Sequence, residues 1–524
     1  MLARGVQRCG AFVTRGASAA KLHAVALVVV FAATVCCGLI RMICAPVVEG
    51  WRGPSGRIDG VIGMLKVARG LGLTAAVCAS VMASNAVHAE PMDEAVQALV
   101  DQHPQILAAR QALEAARQNL KRERAPLLPQ VNVTAGAGFE HTNSLATRQA
   151  GLENEQLFAT NATLEVRQNL FNGFATYAGM NSAKALIRAS DETLTAVSQN
   201  IVLEGVTAYL NVLRNRELVR LNTGNERAIR EQLELEDERV SRGSGISVDV
   251  LLAKSRLQIA REQSLAFDGA FKDSLSTYRQ VFGGPPELDQ MTALAPTPAM
   301  LPESQEAAAK KIEKDNPIIR IAYAQADSAK AERRRAQSGY YPVLDLVGSA
   351  NIENNLAGVE DVRRDFSIKL EATWALFDGL LTPANTAEAG ARYQEAIQSG
   401  RDVTRRTIEL MEISWHEMEV ARERANLLRN AMNIAGEVFQ SRVELREAGK
   451  ETAINVLDAE NELYSACINF VNAFYDSQIA AFRVLNTLGQ LDAQTVAQSQ
   501  PVEESAVVGQ CGFSAAGDGS YRAE

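Results

Sequence analysis

The feature that most constrains this chain is an internal duplication. The segment from His103, HPQILAARQALEAARQNLKRERAPLLPQVNVTAGAG, matches the segment from Asn316, NPIIRIAYAQADSAKAERRRAQSGYYPVLDLVGSAN, at a constant offset of 213 residues. Farther along the chain the offset becomes 206 and stays there, pairing Gly243 with Gly449. The seven-residue change falls between the matched blocks and predicts a loop difference. Because repeats reproduce whole structural units, the sequence predicts two copies of one unit of roughly 200 residues.

The N-terminus has the composition of an export signal. Residues 64–89 carry Lys66 and Arg69, then an apolar run, then a small-x-small cleavage site ending at Ala89, which is the pattern of a secretory signal peptide. An earlier apolar run, 24–40, is short for a membrane span and leaves an anchor open as the alternative. The predicted division is a misassigned N-terminal extension (1–63), a signal peptide (64–89), a first repeat (90–284), a Pro-rich linking segment (285–315), a second repeat (316–490) and a flexible C-terminal tail (491–524).

Within each copy the hydrophobic period changes from that of a helix to that of a strand and back. Helical sequence stops before Pro129 or Pro342, and the next residues alternate apolar with polar or small side chains, which predicts strands with one apolar face. Two such strands are expected in each copy. After them, uninterrupted helical sequence runs over about 174–240 and 381–445, each on the order of 100 Å long. Apolar steps of three and four predict that these helices pack lengthwise with the helices that return after a Gly-containing turn.

Four apolar-faced strands in one secreted chain raise a problem of closure. Four strands cannot form a barrel, and edge strands with unpaired backbone groups cannot face lipid. Several chains must therefore contribute to one closed sheet. Three chains give about twelve strands, enough for a water-filled lumen, whereas two chains would give about eight and no pore. A trimer is the simplest arrangement that has a pore.

Charge and residue spacing exclude several other classes of protein. The formal net charge of −9 disfavours nucleic acid as a partner, because such proteins need a basic face to displace phosphate counterions. His103, His141 and His416 each lack a second metal ligand at a useful spacing. No nucleophile with a base and no phosphate-binding loop is present in the sequence. We therefore expect neither an enzyme nor a cofactor.

The paired motifs identify a resemblance. The chain is similar to the TolC family of outer-membrane efflux and secretion proteins over about residues 92–490, through the strand-to-helix motifs LFNG and LFDG and the tips that lead into VDVLLAKSRL and INVLDAENELYSA. The resemblance implies a mainly α chain with a membrane β-barrel. It implies a homotrimer in outer-membrane lipid, with a 12-stranded barrel, a periplasmic helical tunnel, an equatorial collar that includes 285–315, and an inner end that can close. The strand-to-helix junction residues are Phe171, Gly173, Phe377 and Gly379.

The resemblance also assigns site residues. Members of the family close the tunnel with carboxylates, and their D-V-L-D motif corresponds to Asn455 through Asp458, so the predicted aperture residues are Asp249, Asp458 and Asn455. The alternative is that both aspartates are solvated helix charges or partners of a helix N-terminus. Arg446 and Glu451 replace the Tyr and Arg of the family's closed-state clasp, which must therefore use other contacts. The predicted adaptor-contacting tips are Arg242, Gly243, Ser244, Gly245, Gly449 and Lys450.

The expected function is that of the exit duct of a type I secretion or tripartite export system. By resemblance, the channel receives cargo from an inner-membrane ABC or other export transporter through a periplasmic adaptor, or membrane fusion protein. Two alternatives remain open at this stage: a multidrug efflux channel, and a periplasmic coiled-coil scaffold without a pore.

Overall fold

The structure is a computed structural model of the chain. The chain divides into two compact units, Met1–Val87 and His88–Glu524, and all described residues belong to the second. The predicted N-terminal extension and signal peptide lie outside them. The structure describes residues 92–149, 151, 155–243, 246–358 and 360–502.

The first copy alternates short helices, two strands and one long hairpin of helices. The helix that begins at Pro104 has Pro at its first position, and the His103 side chain caps it by accepting a hydrogen bond from the Gln105 N–H at 3.3 Å. The elements are α1 (Met92–Gln102), α2 (Pro104–Arg124), β1 (Gln130–Thr142), α3 (Leu145–Gln149), β2 (Glu155–Asn172), α4 (Ala175–Ser241) and α5 (Ser247–Phe282).

The second copy repeats this order. Its long helix contains 67 residues, the same number as the long helix of the first copy. The Asn316 side chain caps a helix, accepting from the Ile318 N–H at 2.8 Å. A short strand, β3 (Leu294–Ala295), precedes this copy. The elements of the second copy are α6 (Gln305–Asp315), α7 (Pro317–Ala336), β4 (Val343–Asn354), β5 (Val362–Thr373), α8 (Leu381–Glu447), α9 (Ala453–Thr487), α10 (Ala493–Ala497) and β6 (Gln500–Pro501).

The boundaries between the copies differ from the sequence-based division. Helix α6 lies at the 213-residue offset from α1 and has the same length, so the second copy begins near residue 305 and not at 316. Strands β3 and β6 lie at the 206-residue offset and pair with each other. The segment predicted as a tail from residue 491 therefore starts with the end of the second copy: Leu491 and Val496 are fully buried, and the Val502 N–H donates to Ala293 O at 2.8 Å. The rest of the predicted tail, from residue 503, lies outside the described residues.

The four long strands form one antiparallel sheet in the order β1-β2-β4-β5. The two hairpins have the same register, since Val133 pairs with Leu164 in the first and Leu346 with Leu370 in the second. Partners in an antiparallel pair point to the same face, so the apolar residues of all four strands share one face, as predicted. The copies differ in the hairpin loops, 143–154 and 355–361, which confirms the predicted loop difference.

The long helices pack as two hairpins, α4 with α5 and α8 with α9, confirming a mainly helical fold. Their main core lies where α1 and α6 meet the middle of the long helices. Within the described residues, none of the helices is both long and apolar enough to cross a membrane. Fully buried side chains of this core include Met92, Tyr209, Ile312, Phe470 and Phe482.

Equivalent positions of the two copies differ in burial. The first turns of α4 are buried because α7 of the second copy covers them, with the hydroxyl oxygens of Ser182 and Ser328 2.9 Å apart. The matching part of α8 is uncovered, and its first buried residue is Gly400. Ala185 is 1% exposed, whereas its counterpart Ala391 is exposed. The cover that α7 gives to the start of α4 is thus not repeated at the start of α8, and strands β1 and β5 each leave one edge unpaired within the described sheet.

Candidate functional site

The strand-to-helix junctions are sharp left-handed turns. Gly173 and Phe174 have φ of 63° and 67°, and Gly379 and Leu380 have φ of 68° and 70°. Two successive residues in this region reverse the chain, and Gly adopts it without steric cost. A Cβ at Gly173 would lie 2.5 Å from the carbonyl oxygen of Ser338, whereas a Cβ at Gly379 would meet nothing within 4 Å. The first junction is therefore covered by the second copy, and the second junction is open.

The aromatic residues of the junctions follow the same asymmetry. Phe171 packs edge-on against Tyr341 of the second copy, with ring centroids 6.5 Å apart, and against Phe174 at 5.3 Å. Its counterpart Phe377 is 80% exposed. Exposed aromatic side chains at the end of an apolar-faced sheet are typical of the boundary between lipid and water. These aromatic residues lie where the apolar-faced sheet ends and the long helices begin.

The hairpin tips are glycine turns with open surroundings. Gly243 and Gly449 have φ of 78° and 70°, and a Cβ at either would meet nothing within 4 Å. At the second tip, the Gly449 N–H donates to Arg446 O and the Lys450 N–H to Leu445 O, both at 2.9 Å. This pair of bonds is the usual glycine-dependent helix ending. The predicted tip residues Ser244 and Gly245 lie outside the described residues.

The charged tip residues are solvent-exposed. The Arg242 guanidinium pairs with Glu238 one turn earlier, and its side chain is 75% exposed. Lys450 is also exposed. The tips thus combine two cations with glycine turns that no other part of the described chain covers, which leaves them accessible to another protein.

Asp249 and Asn455 occupy equivalent positions in the first turns of the return helices α5 and α9. Asp249 is partly buried, and its own N–H donates to Ile246 O at 3.1 Å. A carboxylate at this position is stabilised by the positive end of the helix dipole. Asn455 carries no charge, but its side-chain amide donates to Glu451. Negative charge is therefore present near the start of both helices.

Hydrogen bonding keeps Glu451 ionised. The side chain of Asn455 donates to its carboxylate, and the Thr452 N–H donates at 3.1 Å. These bonds hold the pKa of Glu451 below its usual value. The Glu451 carboxylate thus supplies, at the second tip, the charge that Asn455 lacks.

Asp458 has a cationic partner. Its carboxylate accepts a hydrogen bond from the guanidinium of Arg256, which joins α9 to α5. The Asp458 side chain is still 56% exposed. Within each chain, Arg256 therefore partly neutralises the negative charge that was predicted at this position. The sequence did not indicate this ion pair.

A second arginine joins the hairpins beside the tips. Arg446 of α8 donates to Gln232 at 3.1 Å and to Glu236 at 3.3 Å, both on α4. Glu236 is 5% exposed and also accepts from Arg239 at 3.0 Å. Arg446 stands where the family resemblance places the Tyr of its clasp, and it bridges the two hairpins at this position. Its partner Glu236 was not predicted, because the two residues lie about one repeat apart in the chain.

No group of three His, Cys, Asp or Glu side chains in the described part of the chain is arranged to hold a metal ion. What the geometry offers is a polar end of a helical bundle. Arginine bridges cross the interface between the hairpins, and carboxylates lie near the helix starts. Charged and polar side chains thus join the two hairpins beside the tips.

Known proteins share both the sequence pattern and the fold. The family described as Outer membrane efflux protein matches residues 95–284 and 308–490. The outer membrane protein TolC of Vibrio cholerae is 25% identical over 423 residues, covering 79% of this chain and 94% of that protein. The alkaline protease secretion protein AprF of Pseudomonas aeruginosa is 24% identical over 402 residues, covering 75% and 83%. The crystal structure of the outer membrane protein VceC from Vibrio cholerae superposes with a TM-score of 0.64 at 16% identity, covering 76% of this chain and 96% of that one.

Proposed function

The chain belongs to the outer membrane efflux protein family, and from this premise we propose that three copies form the exit duct of a type I secretion system. As a member, the protein is an outer-membrane export channel and not an enzyme. The proposal adds the homotrimer, the protein cargo, and the partners: a periplasmic adaptor and an inner-membrane ABC transporter.

The observation that carries the trimer is the unequal burial of the two copies. In one chain, β2 pairs with β4 and α4 packs against α7. Within the described chain, the corresponding contacts are missing for β5 and α8 on one side and for β1 and α2 on the other. Joining β5 of one chain to β1 of the next repeats the contact that already exists within the chain. Three chains then close a sheet of about twelve strands, with its apolar face toward lipid.

The same sheet argues against a periplasmic scaffold without a pore. Val131, Val133 and Phe139 are all more than 60% exposed on the apolar face. A row of exposed apolar side chains is unfavourable in water and favourable in the hydrocarbon of a membrane. We therefore assign this face to outer-membrane lipid.

The names of the relatives support secretion as the system. AprF is named for secretion of an alkaline protease, and PrtF of Dickeya chrysanthemi for secretion of proteases. The name of OpmQ of Pseudomonas aeruginosa, for export of pyoverdine, favours small-molecule efflux as the second candidate. The two candidates share the architecture and differ in cargo and partners.

Replacing Gly449 with Val is expected to abolish export while trimers still assemble. A β-branched residue strongly disfavours the left-handed conformation that Gly449 adopts, so the tip should rearrange and lose its adaptor. Two quantities are measured for the variant and the wild type: the amount of secreted protein in the culture medium, and growth in the presence of a panel of drugs. Under the proposal the secreted proteins disappear and drug tolerance is unchanged.

The control for this experiment is Gly224→Val in the middle of α4. A Cβ at Gly224 meets nothing within 4 Å, and its backbone is helical, so export should continue. Normal export by the Gly449→Val variant would contradict the assignment of the tip to adaptor contact. Unchanged secretion with increased drug sensitivity would favour small-molecule efflux over protein secretion as the function of the channel.

The Asp249→Asn, Asp458→Asn double variant is expected to weaken cation selectivity and block by multivalent cations in planar bilayers. Each substitution removes three carboxylates per trimer from the proposed aperture, and loss of the Asp458 carboxylate also removes the ion-pair partner of Arg256. The control, Glu234→Gln, lies on the exposed surface farther up the hairpin and should have little effect. Unchanged selectivity in the double variant would reduce both aspartates to helix-terminal and ion-pairing roles.

A further inference from the structure

A buried carboxyl group lies in the interface between the two hairpins, close to the tips. Glu460 of α9 is 6% exposed. The charged groups that face it are Arg446 on α8, Glu231 on α4 and Arg256 on α5. Burial of a carboxylate away from water is unfavourable unless a cation compensates it.

The two neighbouring cations are committed to other carboxylates. Arg446 donates to Glu236, and Arg256 donates to Asp458 on the same helix as Glu460. The negative charge of an ionised Glu460 is therefore only partly compensated by the two arginines. Burial, only partly opposed by Arg446 and Arg256, raises the pKa of Glu460 to about 7.

The interface at Glu460 is polar and incompletely filled. A cavity of about 220 Å³ is lined by Glu460, Asn225, Arg256 and Gln263, among others. Within the described residues, the buried Oδ1 of Asn225 and Nη1 of Arg256 have no hydrogen-bond partner. A cavity of this size with several polar groups in its lining can admit water, so water that enters when the hairpins separate reaches Glu460 directly.

We propose that Glu460 binds a proton when the second hairpin packs against the first and releases it when the hairpins separate, so that the inner end of the channel opens more readily at higher pH. This inference rests on the proposed function, because it needs an inner end that opens. Asp458, Glu236 and Glu231 complete the set of carboxylates around the site, and the first two already have arginine partners.

The sign follows from proton linkage. The protonated form of Glu460 favours the packed hairpins, and this contribution is complete below about pH 4.5, the ordinary pKa of an exposed glutamate. It is lost as the pH rises through about 7. Between pH 5 and 7 the opening equilibrium is expected to rise by roughly tenfold or more per protomer.

The test is the open probability of purified trimers in planar bilayers as a function of pH. Glu460→Gln keeps the size and the hydrogen bonding of the side chain but cannot titrate, so the rise should disappear and the closed state should persist. Glu462→Gln, an exposed residue of the same helix, is the matched control and should retain the rise. Arg256→Gln removes a cation that stabilises the Glu460 carboxylate, and should move the midpoint to higher pH.

Heat-resistant trimers on gels verify assembly of every variant. Wild-type protein without a rise, Glu460→Gln with an unchanged rise, or Arg256→Gln with a midpoint that stays or falls would each overturn the proposal. Trimers that conduct at no pH would overturn the proposed channel, and the coupling with it. A channel that conducts with a pH dependence insensitive to Glu460 overturns the coupling alone.

Discussion

An Ala391→Arg variant is expected to fold as a single chain and to fail to form trimers. Ala391 is exposed on α8, so a longer side chain has room within the chain. Its counterpart Ala185 is 1% exposed, because the second copy covers it. If the next chain covers Ala391 in the same way, each of the three interfaces must bury an arginine without a partner, at a cost of about 3 kcal/mol or more.

The control for this variant lies one turn earlier on the same helix. Ala387 is exposed, and its counterpart Asn181 is exposed as well, so Ala387→Arg should assemble normally. The mass of the particle in detergent separates the outcomes. Trimers of Ala391→Arg with wild-type stability would contradict the proposed interface.

The second large effect is expected at Gly489, where α9 ends. Its φ is 75°, and a Cβ would lie 2.8 Å from Pro317 Cδ and 2.9 Å from Asp315 O. Gly489→Ala therefore combines backbone strain with a clash against main-chain atoms that cannot move away. We expect a loss of stability of about 3 kcal/mol.

The duplication supplies the control for this substitution. Gly283 ends α5 with a φ of 80°, but a Cβ there meets nothing within 4 Å. Gly283→Ala should cost only the left-handed conformation, about 1 kcal/mol. The measurement is the temperature at which each variant loses its helical structure in detergent, compared with that of the wild type. Equal shifts for the two variants would show that packing against the α6–α7 junction contributes nothing.

The duplication made most of the fold predictable. Because matching periods recur at fixed offsets, the strands, the long helices and their glycine turns follow from either copy. The boundaries of the two copies were harder to predict, because α1 (MDEAVQALVDQ) and α6 (QEAAAKKIEKD) share little sequence. Their equivalence becomes clear only from their equal lengths and positions in the structure.

The side-chain contacts of the site could not be predicted from the sequence. The bond between Arg256 and Asp458 joins residues 202 positions apart, and hydrophobic periodicity says nothing about such a pair. One signal was present: at the 206-residue offset, Lys254 and Arg256 align with Glu460 and Glu462. Opposite charges at duplicated positions show that the two return helices differ in charge here, and this comparison would have drawn attention to Glu460.

The closing of the sheet across chains is tested most directly by a crosslink at its unpaired edges. In the chain, Leu164 pairs with Ala350 across β2 and β4. Shifted by the repeat offsets, the same register places Leu370 opposite Ala137 of the next copy. Partners in antiparallel strands have the Cα separation that a disulfide needs, about 5 Å.

The measurement is the mass of the oxidised Leu370→Cys, Ala137→Cys double variant after denaturation, with each single variant as control. A ring of three chains closed by three bonds is the predicted product, and the single variants should give no such ring. Double-variant protein that remains monomeric after oxidation, although both cysteines are accessible to a thiol reagent, would contradict a sheet closed by three copies.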